Sequence, residues 1–296
     1  HDGHMAMLLS FSEYIDTVKK LDHNVLLIFQ PAEETLGGAE EICKSGIFTK
    51  YNVSQVFGIH LWPFLPKGVI SSRPGAFMPK SAEINVDING KAAHGTAPYE
   101  GLDALYITAD YVKRTYADHA NMFGAIHRFK DGVGDLMYAP CDIPEERTLI
   151  HFGKMESGYA RNIVSDYSHL LGTVRAYDED HFQKIIGILT KNLEEIEKEY
   201  HCTTGFSHSD GYPPVINDKV LYDEIRPVLE SLEGGYEEMP LPLMISEDFS
   251  FYGQYAPAVF FVLGTGTGIP LHSTSFDFEE DLLLSGFALY KALLTR

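Results

Sequence analysis

The chain is poor in cysteine and positive charge and has no long apolar run, and each shortage removes a class of protein. Its three cysteines, Cys43, Cys141 and Cys202, stand far apart with no CxxC spacing, which excludes a disulfide framework and a cysteine-rich zinc module. A reducing, cytoplasmic setting is expected. Lys and Arg number 23 against 42 Asp and Glu, giving a net charge of −19, so nucleic acid and an anionic membrane surface are excluded as partners. No apolar stretch reaches the length of a membrane span, since Val25 to Phe29 and Ala258 to Leu263 are only strand-long. Repeats and low-complexity tracts are absent. What remains is a globular composition, 45% hydrophobic and 22% charged, in 296 residues, enough for one large domain or two of usual size acting on a small solute.

Residues 4–21 place Met5, Leu8, Leu9, Ile15 and Val18 at mostly helical spacings, which predicts an amphipathic helix. Asn24 to Gln30 reads as a buried parallel strand stopped by Pro31, which has no N–H to give a ladder. Gly37-Gly38 opens a predicted helix running through Ile47, and Gln55 to Leu61 is a second apolar strand, completing a βαβ rhythm. From Ser81 the pattern changes. Ala82, Ile84, Val86 and Ile88 alternate with polar residues, predicting a half-solvated antiparallel strand that ends at Asn89-Gly90. A helix over 101–119, strands over 149–154 and 169–176, and a helix over 180–200 follow. The predicted fold is therefore α/β, with residues 74–202 inserted as an α+β, ferredoxin-like domain. Residues 1–73 and 203–296 form the enclosing domain, which closes with an apolar strand, Ala258 to Leu263, and a last helix over 279–294.

Four places carry ionisable groups beside buried segments: His1-Asp2-Gly3-His4, Glu33-Glu34 after the first apolar strand, His60 near the end of the second, and His272 after the glycine-rich loop 264–268. In an α/β sheet the C-terminal ends of the strands are where ligands bind, and these places are expected to share that edge. Imidazoles with a carboxylate are a ligand set for zinc, manganese or a related divalent ion. A second carboxylate beside the ligands suits a general base on the water that such an ion activates. Glu33 and Glu34 could divide those roles in either order. Taken singly, a strand-end histidine is more often a hydrogen-bonded structural residue, and a glutamate pair before a helix more often a capping feature. The glycine-rich loop lacks the lysine and following helix of a phosphate loop.

Together, HDGHMAML, IFQPAEE with GGAE, FGIHLWP, NGKAAHGTAPYEGLDAL, ARNIVSDYSHLLGTVRAYD, SEDFSFY and LHSTSFDF run from His1 to the C-terminus. In order and wording they resemble the dinuclear metallo-amidohydrolases of the M20 type, among them hippurate hydrolases, N-acetyldiaminopimelate deacetylases and aminoacylase-type carboxypeptidases. The resemblance implies a metallopeptidase-type catalytic domain and an inserted lid that also dimerises. It makes His1, Glu34, His60 and His272 metal ligands, Glu33 the general base, and His94 the donor to the substrate carbonyl. It gives Asn162 to the substrate carboxylate or the intermediate, and in a chain of net charge −19 the neighbouring Arg161 is a further local donor for that carboxylate. The implied cofactors are two divalent ions (Zn, Mn, Co or Ni), and the implied reaction is hydrolysis of N-acyl amino acids by a cytoplasmic homodimer. A metallo-dipeptidase or aminopeptidase, and a catalytically silent dimeric binding protein, are the competing expectations. The resembling proteins also carry an upstream segment with first strands and a bridging cysteine. A polypeptide starting at His1 is therefore expected to lack one ligand, and with it metal or activity.

Overall fold

The computed structural model describes residues 1–35, 37–123 and 146–296, so Cys141 lies outside the described residues. These fall into two compact units, one of His1–Met78 with Val215–Arg296, the other Pro79–Pro214.

The chain opens with α1 (Asp2–Thr17), α2 (Gly38–Lys44), α3 (Ile47–Lys50), β1 (Val56–Trp62), β2 (Ile70–Ser72) and β3 (Gly75–Met78). The second unit follows with β4 (Lys80–Asn89), α4 (Ala104–Phe123), β5 (Thr148–Ser157), β6 (Tyr167–Ala176), α5 (Glu179–Tyr200) and β7 (Thr203–His208). The chain then returns to the first unit with β8 (Val215–Asn217), α6 (Lys219–Glu230), β9 (Tyr236–Glu238), β10 (Ala258–Gly264) and α7 (Leu283–Leu294).

In the first unit the main sheet has the order β1-β10-β2-β9, with β1 parallel to β10 and β10 antiparallel to β2. Every residue of β10 is buried, because both faces are covered. Val259, Phe261 and Leu263 face a cluster with Leu221, Tyr222 and Leu289, from α6 and α7. Ala258, Phe260 and Val262 face the other way, onto Ala39, Phe48, Phe249 and Tyr252. Burying each large apolar side chain contributes about 1.5–3 kcal/mol, so this strand anchors the unit.

Two expectations need correction. Asn24 to Gln30 forms no strand. Val25 to Ile28 are only half-buried and Phe29 is exposed, and among the described residues no neighbouring strand offers the segment a ladder; apolar character drives burial but does not by itself supply a pairing partner. The helix expected through Ile47 breaks into α2 and α3, because Gly46 adopts φ 80°, a left-handed conformation that ends one helix and starts the next.

In the second unit four antiparallel strands take the order β5-β6-β4-β7, with α4 and α5 packed together. The strand and helix succession is β-α-β-β-α-β. Period-2 alternation buries Ala82, Ile84, Val86 and Ile88 against Ile107, Tyr111, Ile185 and Leu189. β7 pairs with β4 and carries this unit beyond residue 202, to Pro214.

Candidate metal centre

The centre is built on the edge strand β1. Its alternation sends Ile59 and Leu61 into the core that α7 covers and leaves His60 on the opposite face. Two residues earlier, Gly58 leaves room for Phe249, whose ring a Cβ would meet at 2.7 Å. His60 Nδ1 lies 2.7 Å from the Leu61 carbonyl, which only accepts, so Nδ1 carries the proton and Nε2 keeps its lone pair. Metal-binding imidazoles are commonly held in this way.

His60 Nε2 lies 3.4 Å from His1 Nε2. His1 Nε2 is in turn 3.7 Å from Glu33 Oε2 and 3.8 Å from Glu34 Oε1. His272 Nδ1 stands 4.0 Å from Glu34 Oε1. The five residues named from the sequence for this centre therefore converge. Ligands about 2.1 Å from a tetrahedral ion lie about 3.4 Å apart, so spacings of this size with an imidazole and carboxylate donor set fit a divalent cation.

His4, which the sequence placed beside His1 without a role, joins the group, its ring 4.3 Å from that of His60 and 5.3 Å from that of His1. The signal was available, since positions 1 and 4 share a helical face. Its Nε2 accepts the Leu61 N–H at 2.9 Å, which occupies that lone pair and ties the start of α1 to the open edge of β1. Burial, and then the neighbouring His60 ring, push the His4 pKa down to about 2, so the ring stays neutral. Burial likewise lowers His60. Asp2 is 95% exposed at its side chain, where it accepts the Gly3 N–H and lies 3.9 Å from the His1 amino nitrogen rather than at any of these rings.

Behind the histidines lies a carboxylate cluster. Ligand-type oxygens of Glu33, Glu247 and Asp248 lie within 4.8 Å of one another. Burial, then the negative charges of Glu34 and Asp248, raise Glu33 to about 7. Burial, then Glu33 and Asp248, push Glu247 well above the ordinary carboxylate range. A carboxyl group with proton affinity near neutrality can take up and release a proton at physiological pH, which suits Glu33 to general-base work. Glu247 and Asp248, in the SEDFSFY motif, stand at the start of a short helical turn over Asp248–Gln254 and belong to this cluster.

Within the second unit, His94 and Asn162 are brought together. His94 bridges to Ile163, and Gly95 N–H donates to the Asn162 carbonyl at 2.7 Å. A Cβ at Gly95 would press on the Asn162 backbone at 3.0 Å, so glycine permits this approach. His94 Nδ1 is 2.8 Å from Thr96 Oγ1. Asn162 and its neighbour Arg161 are exposed.

Comparison with known proteins agrees with this chemistry. The family described as Peptidase family M20/M25/M40 matches residues 1–296. An uncharacterized hydrolase of Staphylococcus aureus is 30% identical over 306 residues, covering 99% of this chain and 74% of the relative. One from Staphylococcus epidermidis is 31% identical over 310 residues, with the same coverage. Among solved structures, a dinuclear metal-binding peptidase of the M20 family from Bacillus subtilis superposes with a TM-score of 0.77 at 21% identity, covering 99% of this chain and 71% of that one. An aminobenzoyl-glutamate utilization protein from Klebsiella pneumoniae gives a TM-score of 0.64 at 18% identity, covering 98% and 66%. The chain is a hydrolase and belongs to peptidase family M20/M25/M40.

Proposed function

We propose that this protein hydrolyses the amide bond of N-acyl amino acids, releasing a carboxylate and a free amino acid, with two divalent ions of the Zn, Mn, Co or Ni class as cofactors. The observation that carries the reading is the chain of short contacts that links His60 to His1, His1 to Glu33 and Glu34, and Glu34 to His272, with His1 Nε2 and His60 Nε2 3.4 Å apart. His1, His60, His272 and Glu34 would hold the ions. When bound, such ions supply Lewis acidity and lower the pKa of a water toward neutrality. Glu33 takes a proton from the attacking water and returns it to the departing amine nitrogen. His94 donates to the amide oxygen, and Asn162 with Arg161 receives the substrate carboxylate. His94 and Asn162 take their roles from the family resemblance, as does the reading of Pro79–Pro214 as a lid and homodimerisation domain, while Arg161 is assigned on its charge beside Asn162. Among the described residues no helix is long and apolar enough to cross a membrane. The free, buried Cys43 and Cys202 suit a reducing cytoplasm.

The test is a panel of N-acetyl and N-benzoyl amino acids beside dipeptides, assayed with added divalent ions and with chelator. Chelator-sensitive turnover of the acylated substrates is expected, and Glu33→Gln is expected to lower kcat about 100-fold or more. Turnover that ignores both chelator and Glu33→Gln overturns the mechanism. A preference for dipeptides with a free ammonium replaces the substrate class with that of a dipeptidase.

A further inference from the structure

Glu33 and Glu34 sit in a short turn whose two ends are fastened to one buried side chain, 218 residues from Gln30 in sequence. Asp248 has no exposed surface. Its carboxylate accepts both contacts from Gln30 Nε2, at 2.8 and 2.7 Å, and the Ala39 N–H at 3.1 Å. Gln30 precedes the turn and Ala39 lies in the first turn of α2 behind it. The amide of Gln30 turns its NH2 to Asp248 because a carboxylate only accepts, which leaves Oε1 to take the Tyr252 hydroxyl at 2.7 Å.

The backbone between these two ends is strained. Ala32 adopts φ 62°, a left-handed conformation that costs a residue with a Cβ about 1–2 kcal/mol. Its carbonyl is the hub of the turn, accepting the Thr35 N–H at 3.3 Å and the Gly37 N–H at 3.2 Å. A strained turn persists where its surroundings hold it.

We propose that Asp248, acting through Gln30 and the Ala39 amide, is a positioning residue that locks the Pro31–Thr35 turn in the conformation that presents Glu33 and Glu34. The inference rests on the reading of Glu33 as base and Glu34 as ligand. The chemistry explains why a carboxylate suits the position: the three hydrogen bonds that close the clamp come from N–H donors, so an acceptor-only group satisfies them, and Asp248 shares one further side-chain hydrogen bond with Glu247. An asparagine would set its own NH2 against at least one. The clamp also explains the cost the fold accepts in burying an acid beside Glu33 and Glu247, where an uncharged residue would pack without repulsion.

The experiment uses the full chain with Asp248→Asn, Gln30→Leu, Tyr252→Phe and Glu33→Gln. It measures kcat and KM, Mn2+ affinity by calorimetry, melting temperature, and amide exchange at Thr35 and Gly37 without metal. For Asp248→Asn we expect kcat to fall about 100-fold with KM little changed, as for a reacting group displaced by about 1 Å. Mn2+ affinity should weaken at least about tenfold, and both amides should lose protection. Tyr252→Phe should shift the same readouts less, and the Asp248→Asn/Gln30→Leu double variant no further than the stronger single. Glu33→Gln should lower kcat while leaving the amides protected, which separates loss of the base from loss of its placement. The proposal is overturned if Asp248→Asn only lowers the melting temperature, with kcat, Mn2+ affinity and amide protection unchanged. Should that variant fail to fold, unchanged readouts in Gln30→Leu and Tyr252→Phe overturn it equally. Absence of chelator-sensitive turnover in the unmodified protein defeats the functional reading alone, since amide exchange still judges the clamp.

Discussion

The Nε2 atoms of His1 and His60 stand 3.4 Å apart, and the one on His60 keeps its lone pair because Nδ1 of that ring is bound to the Leu61 carbonyl. With the Glu33 and Glu34 carboxylates also within 4 Å of His1, electron pairs face one another across a gap that a cation would relieve. Adding Mn2+ or Zn2+ at a hundred times its Kd should stabilise the fold by about 2.7 kcal/mol. At roughly 2–4 °C per kcal/mol for a chain of this size, the melting temperature should rise by about 5–10 °C and fall back with chelator. His60→Ala should abolish most of that rise. A shift of undiminished size in His60→Ala would place the cation elsewhere.

Gly38 makes the turn before α2 sensitive to a single methyl group. A Cβ there would lie 1.8 Å from the Pro31 carbonyl oxygen, which is backbone and cannot swing aside as a side chain could. Gly38→Ala should cost about 1–3 kcal/mol, as overpacked sites do, and should lower turnover with it, since the displaced segment carries Glu33 and Glu34. Gly46→Ala is the control. Gly46 has φ 80° but nothing within 4 Å of an added Cβ, so it should lose about 1–2 kcal/mol from backbone strain and keep full turnover. Equal turnover in the two alanine variants would show that the turn tolerates displacement.

What the sequence disclosed about this centre depended on how local the physics was. His60 was legible because it lies near the C-terminal end of an apolar strand, where α/β sheets bind ligands, and Glu33-Glu34 because they follow an apolar run that ends at proline. The wording of seven motifs then assigned roles that no periodicity could. The Asp248 clamp was not legible, for its partners Gln30 and Ala39 are more than 200 residues away and nothing in either segment encodes the pairing. Asn24 to Gln30 misled for a related reason: strand-length apolar runs announce burial, whereas a ladder needs a partner elsewhere in the chain. β7 escaped notice because TTGFSH alternates too weakly to announce a strand, and its pairing of Val86 with Phe206 and Ile88 with Thr204 is decided by β4.

Asp178 contributes to the acid sensitivity of the second unit. It caps α5, accepting the His181 N–H at 2.7 Å and lying 2.6 Å from His181 Nδ1. Burial raises its pKa, but the His181 backbone N–H and ring outweigh it, and the carboxyl is held below the ordinary value. A carboxyl with a lowered pKa in the folded state contributes stability that is present above its unfolded pKa, about 3.9, and is lost as pH falls through the folded value. Asp178→Ala should therefore cost about 1 kcal/mol near pH 7, the usual worth of an N-cap, and progressively less below about pH 4. Denaturant melts of both proteins at pH 7 and pH 3 measure this, and a cost that stays constant or grows in acid would contradict it.

Thr96 determines which nitrogen of His94 carries the proton. The Thr96 backbone N–H reaches His94 Nδ1 at 3.3 Å, and an amide N–H can only donate, so in the neutral ring Nδ1 accepts and the proton sits on Nε2. That tautomer offers an outward N–H, the form needed to donate to a carbonyl oxygen on which charge develops. Nitrogen-15 spectra of the neutral ring should show Nδ1 as the unprotonated nitrogen. Thr96→Val removes the hydroxyl 2.8 Å from Nδ1 but keeps the backbone donor, so turnover should fall only about fivefold, the equivalent of one hydrogen bond of about 1 kcal/mol. If His94 is the proposed carbonyl donor, His94→Ala should cost about 100-fold or more in kcat. A protonated Nδ1 in the spectra, or a Thr96→Val loss as deep as that of His94→Ala, would mean that the hydroxyl and not the backbone sets the tautomer.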